Sequence, residues 1–481
     1  MRLGLIVRYI SFVLLINSAF MLLSALVSVF DGIGSDFFPL LLSAFITFTV
    51  GCFPFIFVPK NPNLNNKEIN IFVVLAWVIS CVFGILPYVL WGGEFNVANA
   101  WFESVSGFTT TGATILNDIE ILPRGLLFWR SATHFIGGIG IVLFAVIVLQ
   151  SQYTTRMRLT NAEVSLLAKD NFHFKAQHLL RVIVSVYIGL TVILTGFLVL
   201  FGMSFFDAIN HAFSTVATGG FSTKNASIAS FNSIPIGIII IIFMIISGMH
   251  FGIIYSTITG RPKAMFHSPV IRFYLATMGI GAIIVTINLL VNGNYSNFFD
   301  AIYNSIFQVV AISSTTGFAS ADTTIWHPAA ICILIYFSIQ CACAGSTSGG
   351  IKVDRIYILW RSIVAQLKIR QHPNAVVSVR SANHIIEEKR VSSAMTYISL
   401  YLFITFVATL ILSAFNIDLL SGFTTSLSFM GNVGPGMGQY GSLGNYATLP
   451  EIVKFTYPIF MLLGRLEIYA LFLLFLHDKH R

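Results

Sequence analysis

Thr109-Thr110-Thr111-Gly112-Ala113 decides the fold of this 481-residue chain, because three segments of the same make follow it. They are Val216-Ala217-Thr218-Gly219-Gly220, Ser314-Thr315-Thr316-Gly317-Phe318 and Asn432-Val433-Gly434-Pro435-Gly436. Each follows a short amphipathic segment and lies between two apolar spans. With Gly112, Gly219, Gly317 and Gly434 aligned, the pattern returns roughly every hundred residues, a period that in an apolar chain points to duplication and pseudo-symmetry. One Thr-Gly alone reads equally as a surface turn; four at matched places do not. Four such loops around one axis make a pore.

Composition supports a membrane solvent. Hydrophobic residues make up 56% of the chain, aromatic residues 14% and charged residues 10%, and the mean hydropathy is +0.84. Soluble domains carry about 25% charged residues. Apolar runs able to cross a hydrocarbon core of about 30 Å lie near 5–30, 38–59, 69–91, 125–150, 178–202, 233–258, 270–292, 328–345, 393–415 and 452–476. They predict an all-α integral membrane protein with about ten spanning helices. Arg2 and Arg8 precede the first run as in a signal peptide, but that run exceeds the usual h-region of about 7–15 residues and reads as a span.

Alternation from an inside N-terminus places 60–68, 151–177, 259–269, 346–392 and 477–481 on one side, and most Lys and Arg residues fall there. The opposite loops carry Asp31, Asp36, Glu94, Asp118, Glu120, Asp207, Asp300, Asp322, Asp418 and Glu451. The positive-inside rule makes the basic side and both termini cytoplasmic. It accounts for the +8 formal charge by topology rather than by nucleic acid. An acidic outer face also gathers cations within a Debye length of about 8 Å.

The segments before the glycines, near 98–106, 205–214, 298–312 and 419–430, are too short to span and read as re-entrant pore helices. Irregular backbone at membrane depth is tolerated only where protein or water surrounds it. A cation that sheds water needs oxygen ligands, and carbonyls supply them without burying a carboxylate. Glycine reaches the dihedrals that turn successive carbonyls to one axis.

Below these loops, Gly345-Ser346-Thr347-Ser348-Gly349-Gly350 breaks the eighth run with residues that weaken a helix; it reads as an irregular loop or as a helix end at the cytoplasmic boundary. Arg465 lies inside the last run, where a charge costs at least about 2.5 kcal/mol on insertion scales and faces a cavity or a partner. Glu467, two residues on, does not share its helix face. Glu103 and His211 sit in re-entrant segments, open to a supporting hydrogen bond or to an ordinary structural role.

The four loops, together with Gly137-Gly138-Ile139-Gly140, Ala344 to Lys352 and Gly464-Arg465-Leu466-Glu467, resemble the Trk/Ktr/HKT superfamily of potassium transporters over essentially the whole length. The likeness is greatest to the TrkH-type membrane subunits of bacterial Trk systems. It implies four membrane–pore–membrane units, at 67–150, 151–260, 261–390 and 391–481, preceded by a helix pair at 1–66. By the same resemblance a potassium filter comprises Thr110, Thr111, Gly112, Ala217, Thr218, Gly219, Thr315, Thr316, Gly317, Asn432, Val433 and Gly434. The gate comprises residues 345–350, with Arg465 as a cation barrier. Relatives with serine at the first glycine favour sodium, so Gly112 points to potassium. Also implied are a bacterial inner-membrane location, a homodimer and a cytosolic TrkA-like ring subunit. That partner, not this chain, would bind a nucleotide (ATP/ADP or NAD), for which the basic stretch 346–392 is the expected contact.

Other residues offer less. Cys52, Cys81, Cys332, Cys341 and Cys343 lack metal-binding spacing and read as packing residues. His477 and His480 lack further ligands. The Gly137–Gly140 run lies within a span and suits close helix packing. Without a Walker sequence, a dinucleotide fingerprint or clustered acids and bases, an enzyme is not expected. A sodium-coupled symporter, or a secondary transporter with a midplane site, stays open beside channel-like flow.

Overall fold

The computed structural model describes residues 2–59, 65–156, 176–260, 262–375, 377–381, 384–466 and 468–469, and of 66–67, 141–156 and 176–180 the backbone alone. Its regular structure is helical except for a short antiparallel pairing of Arg380–Ser381 with His384–Ile385. The chain opens with a helix pair, Leu3–Phe30 and Phe37–Phe57, turned by Gly32 and Ile33 at positive φ. Small and polar residues let the two helices approach. The Ser18 hydroxyl donates to the Ala44 carbonyl at 2.8 Å, and Gly51 lies against Leu14 and Leu15. Their other faces expose Leu22, Leu26, Phe38, Phe45 and Phe48, an apolar surface that suits lipid.

Asp36 fastens this pair to the next unit. Its buried carboxylate accepts from the Ser28 hydroxyl at 2.6 Å and from the Leu126 N–H at 3.2 Å. Leu126 lies in the first turn of the helix Arg124–Arg156, whose N–H groups lack intrahelical partners.

Six described helices are long and apolar enough to cross a membrane, and a seventh if the bent pair Ile234–Ser247 and Phe251–Ile258 is taken as one. The expected run 233–258 is thus not a straight span: it turns by 105° between its two parts. The cause is a competing set of hydrogen bonds. Cys343 N–H takes the Gly248 carbonyl at 3.0 Å, and Phe251 N–H goes to the Gly345 carbonyl at 3.1 Å, so another segment has entered the helical ladder. The run 328–345 yields only the helix Pro328–Ile339, and irregular backbone begins before Gly345. The last run starts as Glu451–Thr456 and restarts as Pro458–Arg465, since Pro458 has no N–H to continue the ladder. Residues 470–476 of that run, the loop portion 157–175, Glu467, His477 and His480 lie outside the described residues.

Four shorter helices stand between the long ones: Val97–Phe108, Phe205–Val216, Phe298–Ser313 and Leu419–Gly431. Each begins with a polar cap. Asn96, Ser204, Asn297 and Asp418 accept from the N–H of Asn99, Asp207, Phe299 and Ser421, satisfying donors a helix start leaves open. Asp418 is held below the usual carboxylate range by that backbone bond. The core divides into two large clusters. One surrounds the second and third short helices, with Tyr187, Met244, Tyr274 and Phe307; the other surrounds the first and fourth, with Phe102, Trp129, Phe429 and Tyr457.

Replacing Asp36 by Ala strands the Leu126 N–H and the Ser28 hydroxyl. The expected loss is about 2–3 kcal/mol, read as a lower unfolding temperature in detergent, with a smaller loss for Asp36→Asn, which retains an acceptor.

Candidate functional site

The four short helices end alike. After each, one residue takes left-handed backbone: Thr110 (φ 52°), Thr218 (φ 54°), Thr315 (φ 60°) and Asn432 (φ 52°). The next residue returns its N–H five positions back, Thr111 to Ser106, Gly219 to Ser214, Thr316 to Ala311 and Val433 to Ser428, at 2.8–2.9 Å. This is the capping pattern of a Schellman end, built on β-branched threonine three times out of four. A glycine of positive φ follows in every loop: Gly112 (78°), Gly220 (85°), Gly317 (72°) and Gly434 (100°).

The second loop corrects the sequence alignment by one position. Gly220, not Gly219, is the structural counterpart of Gly112, and Gly219 matches Thr111, Thr316 and Val433. A side chain at Gly219 would strike the His134 ring, which fills the space the other loops give to a threonine or valine. A doublet of glycines hides this register in the sequence.

The four glycines close a ring. A Cβ on Gly112 would meet the carbonyl oxygen of Gly219; on Gly220, that of Thr316; on Gly317, that of Val433; and on Gly434, that of Thr111. Each loop therefore lies against the next in chain order, and the fourth returns to the first. All four glycines line one cleft, beside Arg130, Lys224 and the segment Ser442–Tyr446. The hydroxyls of Thr110 and Thr315 are buried without a hydrogen-bond partner among the described residues, leaving oxygens available to a cation. Four helix C-termini also bring their negative dipole ends to the ring.

Neighbouring loops are tied differently in each quadrant. Between the first and second, Arg130 Nε meets Glu103 Oε1 at 2.8 Å and Arg130 Nη1 donates to the Ser222 carbonyl at 3.2 Å. Between the second and third, Ile228 N–H donates to the Ala319 carbonyl at 3.1 Å and Ala319 N–H to Ser227 Oγ at 3.2 Å. Ser442 joins the third and fourth, donating to the Ala321 carbonyl at 2.8 Å and accepting from Thr323 N–H at 3.0 Å. Tyr446 N–H reaches the Thr114 carbonyl at 2.8 Å, and Asn432 Nδ2 reaches Thr111 Oγ1 at 2.9 Å, which closes the fourth on the first.

The segment 345–350 meets the loops at the residues before their glycines. Thr347 Oγ1 donates to the Val216 carbonyl at 3.0 Å and lies 3.3 Å from Thr218 Oγ1; Gly349 abuts Asn432, and Gly350 abuts Gly431. Ser346 turns inward on the Cys343 carbonyl at 2.6 Å and the Ser348 hydroxyl at 2.9 Å. Arg465, 1% exposed, donates from Nη1 to the Thr347 carbonyl and from Nη2 to the Gly137 carbonyl at 3.1 Å. So the two sequence candidates below the loops touch each other. Gly137 and Gly138 have the close-packing role expected of them, with Phe108 and Ala217 against their backbone.

The sequence reading left Glu103 and His211 open, and both bond to residues leaving a glycine. Glu103 accepts from Thr114 Oγ1 at 3.0 Å and from Ile115 N–H at 3.2 Å. His211 Nδ1–H donates to the Asp207 carbonyl at 2.8 Å, so Nε2 accepts from Ser222 Oγ at 2.9 Å. Arg130 and His134 were missed, although a charge within the run 125–150 carries the same signal that exposed Arg465. Cys81, Cys341 and Cys343 are buried, Cys52 is partly so and Cys332 is exposed.

A family model described as a cation transport protein, TrkH, matches residues 44–480. The chain belongs to the TrkH family. Similar members include the Trk system potassium uptake protein TrkH of Salmonella typhimurium, 32% identical over 98% of both chains. The protein of that name from Escherichia coli K12 is 34% identical over 86% of both. The crystal structure of the potassium transporter TrkH from Vibrio parahaemolyticus superposes with a TM-score of 0.90 over the full length of both chains at 29% identity. As a TrkH-family protein the chain is a multi-pass membrane transporter and not an enzyme.

The two adjacent glycines of the second loop are expected to respond differently. Gly220→Ala drives a Cβ into the Thr316 carbonyl at a φ that alanine rarely adopts, so transport in liposomes should fall at least about tenfold whatever the background. Gly219→Ala collides first with the His134 ring, and the double variant with His134→Ala should recover much of the single variant's loss.

Proposed function

We propose that this protein takes potassium ions into the bacterial cell across the inner membrane, through a selectivity filter formed by residues 110–112, 217–220, 315–317 and 432–434. The observation that carries this reading is the closed ring in which each loop's glycine abuts a carbonyl of the next. Carbonyl oxygens around one axis replace a cation's hydration shell without a buried carboxylate. The relatives' names point to potassium, and so does glycine at position 112. Gly112→Ser should raise sodium flux relative to potassium flux in liposomes of purified protein; an unaltered ratio in folded protein would refute the filter assignment. Uptake of potassium that saturates and requires sodium would identify a coupled symporter instead.

Residues 345–350 and Arg465 act together as the gate on this reading. Thr347 lies under the second loop, and the Arg465 guanidinium holds it there while placing positive charge beneath the ring. Arg465→Ala frees the segment and removes the charge, so basal potassium flux without any partner should increase; a decrease in folded protein would assign Arg465 to structure or ion coupling.

Control comes from a separate cytosolic ring subunit that binds a nucleotide, and the protein works as a homodimer. The stretch expected to meet that subunit, 346–392, includes the helix Val353–Gln371, the short hairpin and the start of the helix Glu388–Ala414, and Arg361 Nε joins the first two by donating to the Arg380 carbonyl at 2.7 Å. Lys368, Arg370 and Lys389 are exposed along it. Replacing these three with Gln should weaken assembly and nucleotide-dependent flux and leave ion preference intact. Unchanged assembly would move the docking surface elsewhere.

A further inference from the structure

We infer that Arg130 is a positioning residue for ion choice: its pairing with Glu103 and its grip on Phe221 and Ser222 set how the first and second loops stand to each other. This rests on the filter reading above.

The pair is unlike the other described ion pairs. Its side chains are 1% and 0% exposed, whereas Arg2–Glu68, Arg124–Asp31 and Lys224–Glu120 each expose at least one partner by 36% or more. A buried pair gains its interaction only when geometry is good and the remaining donors and acceptors are satisfied. Here they serve both loops. Glu103 belongs to the helix that leads into the first loop and also accepts from Thr114 and Ile115, just beyond Gly112. Arg130 donates to the Ser222 carbonyl, just beyond Gly220.

Phe221 completes the arrangement. The Arg130 guanidinium lies 3.9 Å from its ring centroid on one side, and the His134 imidazole stacks at 4.2 Å and 14° on the other. Arg130 and His134 are one helical turn apart on the helix Arg124–Arg156. One face of one helix thus clamps the residue after Gly220, and His134 also backs Gly219. The inter-loop ties described above for the other three quadrants are neutral hydrogen bonds. Among the described residues, ion pairs join loops in the first quadrant alone, the buried Arg130–Glu103 and the exposed Lys224–Glu120, so inside the protein its spacing answers to the shape of the Arg130 guanidinium. Lysine preserves the charge but lacks the planar fork that reaches Glu103 and Ser222 while stacking on Phe221.

A geometric role and an electrostatic role differ in what they move. A charge near the cleft alters entry of potassium and sodium alike, whereas a displaced loop alters their ratio. The test measures potassium and sodium flux through wild type, Arg130→Lys and Phe221→Leu in liposomes, with folding checked by monodisperse elution and unfolding temperature. Both variants should lower the potassium-to-sodium ratio, Arg130→Lys by about tenfold, the factor that one charge-assisted hydrogen bond is worth. A ratio within about twofold of wild type in both folded variants, or an equal fall for both ions, overturns the inference. If Arg130→Lys does not fold, Phe221→Leu decides, because it removes no charge. Failure of the filter reading itself looks different: wild type would carry no potassium, or Gly112→Ser would leave the ratio unaltered.

Discussion

Contact between a loop glycine and the carbonyl oxygen of its neighbour is the constraint from which the rest of this structure follows. Four such contacts, Gly112 with Gly219, Gly220 with Thr316, Gly317 with Val433 and Gly434 with Thr111, leave no room for a β-carbon. They also require left-handed backbone just before, at Thr110, Thr218, Thr315 and Asn432. For a β-branched residue that conformation costs on the order of 1–3 kcal/mol and persists only when surroundings over-determine it. The surroundings are the capped helix ends, the inter-loop ties and the core packed around the short helices.

Approximate fourfold symmetry is achieved with unequal parts. The backbone path is common to all four loops, while adjacent loops are held together by an ion pair, by a serine with main-chain bonds, by another serine, and by an asparagine side chain with a main-chain bond from Tyr446. The departure from symmetry is greatest on the face that meets residues 345–350. Thr347 engages the second loop, Gly349 and Gly350 engage the fourth, and Arg465 joins Thr347 to Gly137. A single polypeptide can make such a one-sided arrangement; four identical subunits cannot.

The helical membrane fold was legible in hydropathy, and the loops in their recurring Thr-Gly pattern. Caps at Asn96, Ser204, Asn297 and Asp418 follow ordinary N-terminal preferences and agree with the expected short helices. The register of the second loop was not legible, because Gly219-Gly220 permits two alignments, and what distinguishes them, Gly220 against the Thr316 carbonyl and Gly219 against the His134 ring, comes from other parts of the chain. Nor was the bend between Ser247 and Phe251, which arises from hydrogen bonds to Gly345 and Cys343 about a hundred residues further on. Ile-rich sequence on either side reads as one uninterrupted span. Glu103 was singled out in the sequence and Arg130 was missed; their pairing depends on how a short helix meets a long one, which periodicity does not encode.

The ring's last contact bears on how the protein is made. Asn432 bonds Thr111 across 321 residues of chain, and Gly434 closes on Thr111 in the same place. During synthesis the first loop is therefore made long before its fourth neighbour exists. Closure is a late, high-contact-order event. A chain truncated within its final quarter can insert most of its helices and still lack the ring.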